Sequence, residues 1–301
     1  MRMTVLHWNI TEQEAGILVR EFLRAKGVSR AALTDIKFHG GTIAVNGDEV
    51  TVRHELKAGE TLQVTFPPEE RSEGMVSEDI PLHIVYEDDY LMVINKDPYM
   101  SSIPSREHPH GTVANALLYH YDQQHITSTV HIVTRLDRDT SGLMLIAKNR
   151  FIHHTFSKQQ QTKSIVRTYE ALVHGIVTEE EGTISAPIAR KAESIIERMV
   201  SLEGQHAVTH YRVLERLPNC TRVALQLETG RTHQIRVHMA HIGHPLLGDD
   251  LYGGVRTQMN RQALHSTSLT FHHPAMHQQM SFTCEVPADM KAVIEEERPT
   301  K

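Results

Sequence analysis

The sequence predicts an α+β protein with a large central sheet, mixed or antiparallel, and a smaller N-terminal α+β module. Short apolar runs with strand alternation recur along the chain between amphipathic helical segments, without regular strand–helix–strand winding. A polar, acidic stretch at residues 69–80 separates the two parts as a linker. A chain of 301 residues with 40% hydrophobic content is long enough for one sizeable core with a small domain attached.

Residues 1–68 are predicted to form a helix–helix–hairpin–strand module. A capping box at residues 11–14 is expected to begin the first helix, because apolar residues at helical spacing follow it directly. Ser29 is placed to cap a second short helix. The Asn46-Gly47 pair, between strands expected at residues 43–45 and 50–52, predicts a hairpin turn with positive φ. Alternating apolar residues at 62–66 predict the last strand of the module.

The larger domain is predicted to span residues 81–292, and residues 293–301 are expected to form a charged, frayed tail. A helix is expected at residues 112–121, where apolar residues share one face. Strands are expected at residues 82–86, 90–95, 143–147, 167–173, 210–214, 222–227 and 269–271.

Composition narrows the class of protein. The formal net charge of −6 argues against tight, sequence-blind coating of nucleic acid, although a local basic face is compatible with it. Two cysteines cannot build a disulfide framework or a zinc site. No apolar run is long enough to cross a bilayer, and the N-terminus lacks a signal-peptide core. We therefore expect a cytoplasmic protein with no membrane partner.

The chain contains 22 histidines, several of them close together, which raises the question of a metal site. Neither the HExxH nor the CxxC spacing accompanies them. The sequence therefore favours scattered surface and structural histidines, and we expect no metal. A metal hydrolase built on these histidines fails on ligand spacing.

Asp137 is the first candidate for chemistry. It stands between Arg135 and a Thr-Ser-Gly turn, immediately before the apolar run of residues 143–147, which predicts a buried strand. A carboxylate on a turn beside a buried strand is well placed to react, because the core behind it fixes its position. The alternative is an aspartate that serves only the turn.

Tyr169 is the second candidate. Counting two by two along its predicted strand, its side chain points to the same face as Ala171 and Val173. A half-buried tyrosine can pack against a base or sugar and move a proton with its hydroxyl. The alternative is an ordinary core tyrosine.

A third candidate group, Arg231, His233 and Arg236, lies within six consecutive residues. An arginine presents a planar fork that suits carboxylates and phosphates. If the segment runs extended after Gly230, Arg231 and His233 share one face, and an arginine there would keep Asp137 ionised. The alternative is a solvated basic patch. The turn that contains Lys96 is a weak signal by itself.

Four segments in this order, RLDRDTSGL, RTYEALVHG, GRTHQIRVHMAHIGHPLLGDDLYGG and LHSTSLTFHHP, closely resemble the RluA-type pseudouridine synthases. The resemblance covers roughly residues 80 to 290. More weakly, through VSRAALTDI, IAVNGDEV and KAGETLQV, the N-terminal module resembles the small RNA-binding domain first described in ribosomal small-subunit protein four.

The resemblance implies a pseudouridine synthase fold and an isomerase that converts a flipped uridine to pseudouridine in structured RNA, without a cofactor. Large-subunit ribosomal RNA is the favoured partner and transfer RNA the other, and we expect a monomer. The site residues it implies are catalytic Asp137, Tyr169 and Arg231, with RNA-binding roles for Arg135, Lys96, His233 and Arg236. Arg231 would pair with Asp137, and Arg135 would fill the gap left by the flipped nucleotide.

Two positions depart from the family pattern. Thr134 stands where the family usually has histidine, and Asp97 precedes Pro98 where proline usually follows the lysine directly. These departures leave a second reading open, in which the chain is an inactive RNA-binding assembly or chaperone factor. The sequence also leaves open whether Asp137 acts as a nucleophile at the sugar or base, or as a base at the sugar.

Overall fold

The structure is a computed structural model that describes residues 3–71, 74–276 and 278–298. Its helices are α1 (Val19–Ala25), α2 (Arg30–Phe38), α3 (Val113–Gln123), α4 (Arg150–Gln161), α5 (Gln234–His241) and α6 (Ala288–Glu297). Its strands are β1 (Val5–Asn9), β2 (Thr42–Val45), β3 (Asp48–Glu49), β4 (Thr61–Thr65), β5 (Ile84–Glu87), β6 (Leu91–Lys96), β7 (His131–Ile132), β8 (Ser141–Ala147), β9 (Val166–His174), β10 (Glu181–Ser185), β11 (Ile188–Arg190), β12 (Arg198–Val200), β13 (Val208–Arg216), β14 (Cys220–Leu227), β15 (Leu264–His272) and β16 (Gln279–Thr283).

The larger domain is built on one sheet of ten strands, with the order β10-β13-β14-β9-β15-β8-β6-β5. Strand β16 adds to β15, and β7 adds to β8. The ladders are antiparallel except between β15 and β8, which run parallel. The prediction of an α+β fold with a mixed sheet is therefore confirmed. The turn that carries Asp137 leads directly into β8, in the middle of this sheet.

The β8–β15 joint brings Asp137 and Tyr169 to one region of the sheet. Ser266 on β15 pairs with Gly142 of β8 on one side and with Tyr169 of β9 on the other. Gly142 has a φ of 112°, and a Cβ atom there would lie 2.3 Å from the carbonyl oxygen of Ser266. Only glycine permits this approach, so Gly142 of the Thr-Ser-Gly segment is required for strand packing.

The N-terminal module contains the four-stranded sheet β1-β4-β2-β3 and the helices α1 and α2. Ser29 caps α2 by accepting a hydrogen bond from the Ala32 amide, as predicted. Asn46 and Gly47 have φ values of 51° and 95°, which confirms the hairpin turn. The second hairpin strand is Asp48–Glu49 rather than residues 50–52.

Two further features of the module differ from the sequence prediction. The capping box at residues 11–14 forms, but it caps a short 3₁₀ turn, and α1 begins only at Val19. Gly16, with a φ of 82°, lies between the 3₁₀ turn and α1 and breaks the helical conformation there. Strand β1 was not predicted, because five residues at the chain start show too little alternation to distinguish a strand.

The module and the larger domain share one hydrophobic core. A single cluster of buried side chains includes Leu62 and Phe66 of the module together with Leu91 and Phe151 of the larger domain. The Phe66 and Phe151 rings lie 5.3 Å apart between centroids. The small module is therefore fused to the larger domain by packing.

The segment at residues 69–80 has no helix or strand where the structure describes it, as expected of a linker. Its first residue is nevertheless bound to the larger domain. The Glu69 carboxylate accepts hydrogen bonds from the His131 ring at 2.5 Å and from the Arg150 amide at 2.7 Å. The chain between the two parts is thus held against the surface at its start.

The prediction of a frayed tail at residues 293–301 is wrong for its first half. Helix α6 continues to Glu297, and Val293 and Ile294 are buried. The Glu297 carboxylate accepts hydrogen bonds from Asn219 and Gln258. Charged residues dominate this segment, so its composition does not indicate that a few apolar side chains pack against the domain. Residues 299–301 lie outside the described residues.

Within the described ranges, no helix is both long and apolar enough to cross a membrane.

Substitution of Phe66 tests the shared core. We expect Phe66→Ala to lower the free energy of unfolding by about 3–5 kcal/mol, because it leaves a cavity between the two parts. Urea denaturation followed by circular dichroism measures this change. Phe38→Ala is the matched control, since Phe38 is 67% exposed, and we expect a change within about 0.5 kcal/mol. Equal effects of the two variants would contradict a shared core.

Candidate active site

A cavity of about 430 Å³ lies beside the β9–β15–β8 part of the sheet. Six of the predicted site residues line it: Arg135, Asp137, Tyr169, Arg231, His233 and Arg236. They come from distant parts of the sequence, so the fold brings them together. Lys96, the seventh predicted residue, is not among the lining residues.

The backbone around Asp137 is fixed on both sides. The Thr140 amide donates to the Asp137 carbonyl at 3.1 Å and closes the turn. The buried Ser102 hydroxyl donates to the Leu136 carbonyl at 2.7 Å and accepts a hydrogen bond from the Leu136 amide at 3.2 Å. The Asp137 side chain itself is 25% exposed and faces the cavity.

Lys96 is buried and hydrogen-bonds to two backbone segments, and it does not line the cavity. Its ammonium donates to the carbonyl oxygens of Asp97, Met100 and Arg138 at 2.7–2.9 Å. Burial lowers the pKa of Lys96 to about 7, against the attraction of Asp139 and other carboxylates. With 2% exposure and all three protons used, Lys96 holds the loop after β6 to the Asp137 turn. Its assignment as an RNA-binding residue is therefore corrected.

Thr134, at the position where histidine was expected, has a structural contact. Its hydroxyl accepts a hydrogen bond from the Leu145 amide at 2.8 Å, and its own amide donates to the Leu145 carbonyl at 3.2 Å. Thr134 is buried, so these bonds fasten the start of the Asp137 segment to β8. The departure from the family pattern leaves the local structure intact.

The arginine beside Asp137 is Arg236, and the predicted pairing with Arg231 is wrong. Arg236 Nη1 lies 3.3 Å from Asp137 Oδ2. Arg231 is exposed, and its Nε donates instead to the His206 carbonyl at 3.0 Å. The prediction assumed an extended segment after Gly230, whereas α5 begins at residue 234 and turns Arg236 inward.

Arg236 is held in place by residues that were not predicted. Asp249, 1% exposed, accepts two hydrogen bonds from the Arg236 guanidinium at 2.7 and 2.8 Å. The Tyr252 ring packs under the guanidinium at 4.9 Å. Burial opposes the charge, but the hydrogen bonds and charge of Asp249, with Asp137, raise the pKa of Arg236. Arg236 thus stays charged and presents its free edge to Asp137.

His233 also faces Asp137. It precedes α5 in the left-handed conformation, with φ 56° and ψ 21°. Its Nδ1 lies 2.8 Å from the Tyr252 hydroxyl, and its Nε2 lies 3.9 Å from Asp137 Oδ2. Burial lowers the pKa of His233, with Arg236 adding to the effect and Asp137 opposing it. The ring is therefore neutral at pH 7.

Tyr169 forms part of the cavity wall from β9. Its backbone pairs with Leu225 on β14 and with Ser266 on β15, so both neighbouring strands fix it. The residue is 4% exposed, and what remains accessible faces the cavity. A planar ring at this place can pack against an aromatic or heterocyclic ligand.

A wider basic groove continues from the cavity, lined by Arg135, Arg138, Lys163, Arg167 and Arg231. Arg138 and Lys163 pair with Asp139 and Glu228. The other three arginines form no ion pair within the part of the chain that the structure describes. The acidic chain therefore has the local basic face that phosphate binding requires.

The histidines make individual hydrogen bonds. The His273 ring bonds to the Asp88 carboxylate at 2.7 Å, and the His265 ring bonds to the Ser141 hydroxyl at 2.8 Å. Among residues 3–71, 74–276 and 278–298, no group of three or more histidine, cysteine, aspartate or glutamate side chains could hold a metal ion. His277 lies outside the described residues.

Comparisons with known proteins bear on the family of the chain. The model of the RNA pseudouridylate synthase family matches residues 90–241, which contain Asp137, Tyr169 and Arg236. The human RNA Pseudouridylate Synthase Domain Containing 1 has a similar structure, with a TM-score of 0.57 at 24% identity over 74% of this chain and 97% of that one. That likeness concerns the fold.

Two bacterial relatives are much closer in sequence. The uncharacterized RNA pseudouridine synthase YjbO of Bacillus subtilis is 53% identical over 93% of this chain and 99% of its own length. The ribosomal large subunit pseudouridine synthase D of Vibrio cholerae is 44% identical over 83% of this chain and 81% of its own. The chain belongs to the RNA pseudouridine synthase family, whose members are RNA isomerases.

The two arginines are distinguished by substitution. We expect Arg236→Ala to lower the free energy of unfolding by about 3–5 kcal/mol, because it leaves the buried Asp249 carboxylate unpaired. Arg231→Ala loses one exposed hydrogen bond and should cost about 1 kcal/mol or less. Chemical denaturation of both variants gives the comparison. A larger loss for Arg231→Ala would contradict the assigned pairing.

Proposed function

We propose that this RNA pseudouridine synthase uses Asp137 to isomerise a flipped uridine of large-subunit ribosomal RNA. The observation that carries the proposal is the ionic contact of Asp137 with the buried Arg236, in a cavity shared with Tyr169 that opens onto a basic groove. The relative from Vibrio cholerae, named for the ribosomal large subunit, supports the choice of RNA.

The chemistry suits a site built only from side chains. The glycosidic carbon–nitrogen bond breaks, the uracil rotates, and a carbon–carbon bond forms at ring carbon five. Carbon five loses its proton, and the ring nitrogen freed from the sugar gains one. The product has the same atoms and oxidation state as the substrate, so the reaction needs no redox partner or group donor. An ionised carboxylate serves each of the possible routes, as nucleophile at the sugar or base, or as base at the sugar.

The geometry supports distinct roles for the cavity residues. Arg236 neutralises one side of the Asp137 carboxylate through Oδ2, which leaves Oδ1 for the substrate. Tyr169 packs against the uracil from the cavity wall and assists in removing the proton from carbon five. The detached base is held between Tyr169 and Asp137 in the cavity, so that it rejoins the same sugar.

Arg135 is proposed to replace the flipped nucleotide in the RNA stack. A uridine within folded RNA must leave its neighbours before it can enter the cavity. Arg135 is exposed at the cavity edge, two residues from Asp137, and its planar guanidinium can stack in the vacated space. In this arrangement one short segment opens the RNA and carries out the reaction.

The groove arginines are proposed to hold the RNA backbone. Arg167 and Arg231 line the groove, and neither is neutralised by a carboxylate within the described residues. The N-terminal module has as many acidic as basic residues, so we assign it a minor share of RNA binding. We also propose that the protein acts as a monomer. Since the two bacterial relatives described above are RNA pseudouridine synthases and bacterial ribosomes are cytoplasmic, we propose a cytoplasmic location.

Substitution of Asp137 tests the catalytic assignment. We expect Asp137→Asn to abolish pseudouridine formation while RNA still binds, because the amide keeps the shape but loses the charge. Carbodiimide primer-extension mapping measures the product, and filter binding measures the RNA affinity. Asp139→Asn, two residues away, is the matched control and should retain product formation. Normal product from Asp137→Asn would refute the mechanism and favour a role in RNA binding alone.

Substitution of Arg167 tests the groove. We expect Arg167→Ala to weaken RNA binding and to reduce the slope of log affinity against log salt by about 1, the loss of roughly one phosphate contact. Binding titrations at several salt concentrations measure both quantities. Arg298→Ala removes an exposed arginine already paired with Glu215, and it should leave the slope unchanged. An unchanged slope for Arg167→Ala would exclude this residue from the RNA interface.

The choice of RNA is tested in cells. Pseudouridine maps of cells with and without the gene should differ at a position in large-subunit ribosomal RNA. A difference confined to transfer RNA would overturn the choice of RNA and leave the chemistry standing.

A further inference from the structure

We propose that His233 is a positioning residue for Asp137, held by Tyr252 in the tautomer that carries its proton on Nε2. In the RNA-bound enzyme, the Nε2–H group of His233 donates a hydrogen bond to Asp137 Oδ2, beside Arg236. This inference rests on the proposed function and adds a second donor to the catalytic carboxylate. Because the Arg198 amide on β12 donates to Tyr252, the proposal also links the β11–β12 hairpin to the catalytic carboxylate.

The tautomer follows from the hydrogen bonds of Tyr252. The Arg198 backbone amide, on β12, donates to the Tyr252 oxygen at 2.9 Å, and an amide N–H can only donate. The His233 Nδ1 atom lies 2.8 Å from that oxygen and is its other hydrogen-bond partner within the described residues. The phenol proton therefore goes to Nδ1, and the ring proton of neutral His233 is on Nε2.

The charge states agree with this assignment. Burial raises the pKa of Tyr252, so the phenol keeps its proton. Burial also lowers the pKa of His233, so the ring is a neutral donor rather than a cation. The ring planes of the two residues meet edge to face at 78°, with centroids 5.7 Å apart, which fixes the imidazole orientation.

The remaining distance is short enough to close on RNA binding. His233 Nε2 lies 3.9 Å from Asp137 Oδ2, which is too long for a hydrogen bond in the free enzyme. Catalytic hydrogen bonds are often long in free enzymes and shorten in the substrate complex. The Asp137 side chain is 25% exposed and has room to move, whereas His233 is held by Tyr252. With two donors on Oδ2, the other carboxylate oxygen is aimed at the sugar.

Substitution of His233 by asparagine or by glutamine distinguishes the roles of its two ring nitrogens. The asparagine amide occupies the place of Nδ1, whereas the longer glutamine amide reaches the place of Nε2. Asparagine also tolerates the left-handed backbone at this residue, so H233N is expected to fold. Thermal melts of the full-length variants confirm folding before any rate is compared.

The kinetic test uses single-turnover pseudouridine formation with enzyme in saturating excess over a structured RNA. We expect the RNA affinity of H233N to lie within about twofold of the wild-type value. Its single-turnover rate should fall by roughly tenfold or more, which is the effect of one hydrogen bond to a charged group. H233Q should recover part of the rate. A wild-type rate for H233N, or equal losses of RNA affinity and rate in both variants, would overturn the proposal.

A spectroscopic test on the free protein is independent of activity. Long-range ¹⁵N–¹H correlation spectra of histidine-labelled enzyme, with the His233 signal assigned by its absence in H233N, should show the proton on Nε2 at pH 7.5. Y252F should shift this residue towards a mixture of tautomers. A proton on Nδ1 in the wild type would overturn the proposal, even if pseudouridine forms. Failure of the wild type to form pseudouridine would instead refute the proposed function.

Discussion

The site depends on one buried arginine that bridges two carboxylates. Arg236 makes a bidentate contact with Asp249 and extends its remaining edge to Asp137. Placing a charged guanidinium in the protein interior is unfavourable unless its partners compensate for the lost hydration. Asp249 supplies most of this compensation, and the Tyr252 ring covers the exposed face. Because Asp249 already balances its charge, Arg236 can hold Asp137 without neutralising it fully.

The sheet supplies the rigid frame for this arrangement. Asp137 is placed by the strand that follows it, and Tyr169 is placed two strands away across the single parallel joint that the sheet order describes. Gly142 allows the two central strands to approach without a side chain between them. Lys96 and Ser102 then tie the loop after β6 to the residues on either side of Asp137. The turn that carries Asp137 is therefore supported by the sheet and by the loop after β6.

The sequence was sufficient to predict which polar residues near strands line the cavity, and it failed where side-chain direction depends on a local change of backbone. Asp137 and Tyr169 were found because strand alternation and a turn signal fix their directions. Arg231 was preferred to Arg236 because an extended segment has period two, whereas the chain turns into helix α5 there. Lys96 was misassigned because a charged residue predicts exposure, and burial with three carbonyl partners leaves no sequence pattern. Asp249 and Tyr252 lie within a motif that pointed to the family, but nothing in their spacing indicated that they support Arg236.

The core shared by the N-terminal module and the larger domain has a consequence for substrate geometry. Since Phe66 packs against Phe151 and Glu69 is bound at the domain surface, the module stands at a constant distance from the cavity that contains Asp137. An RNA that touches both must present its target uridine and its second contact at a matching separation. The shared core thus sets one fixed spacing, which any RNA bound by both parts has to match.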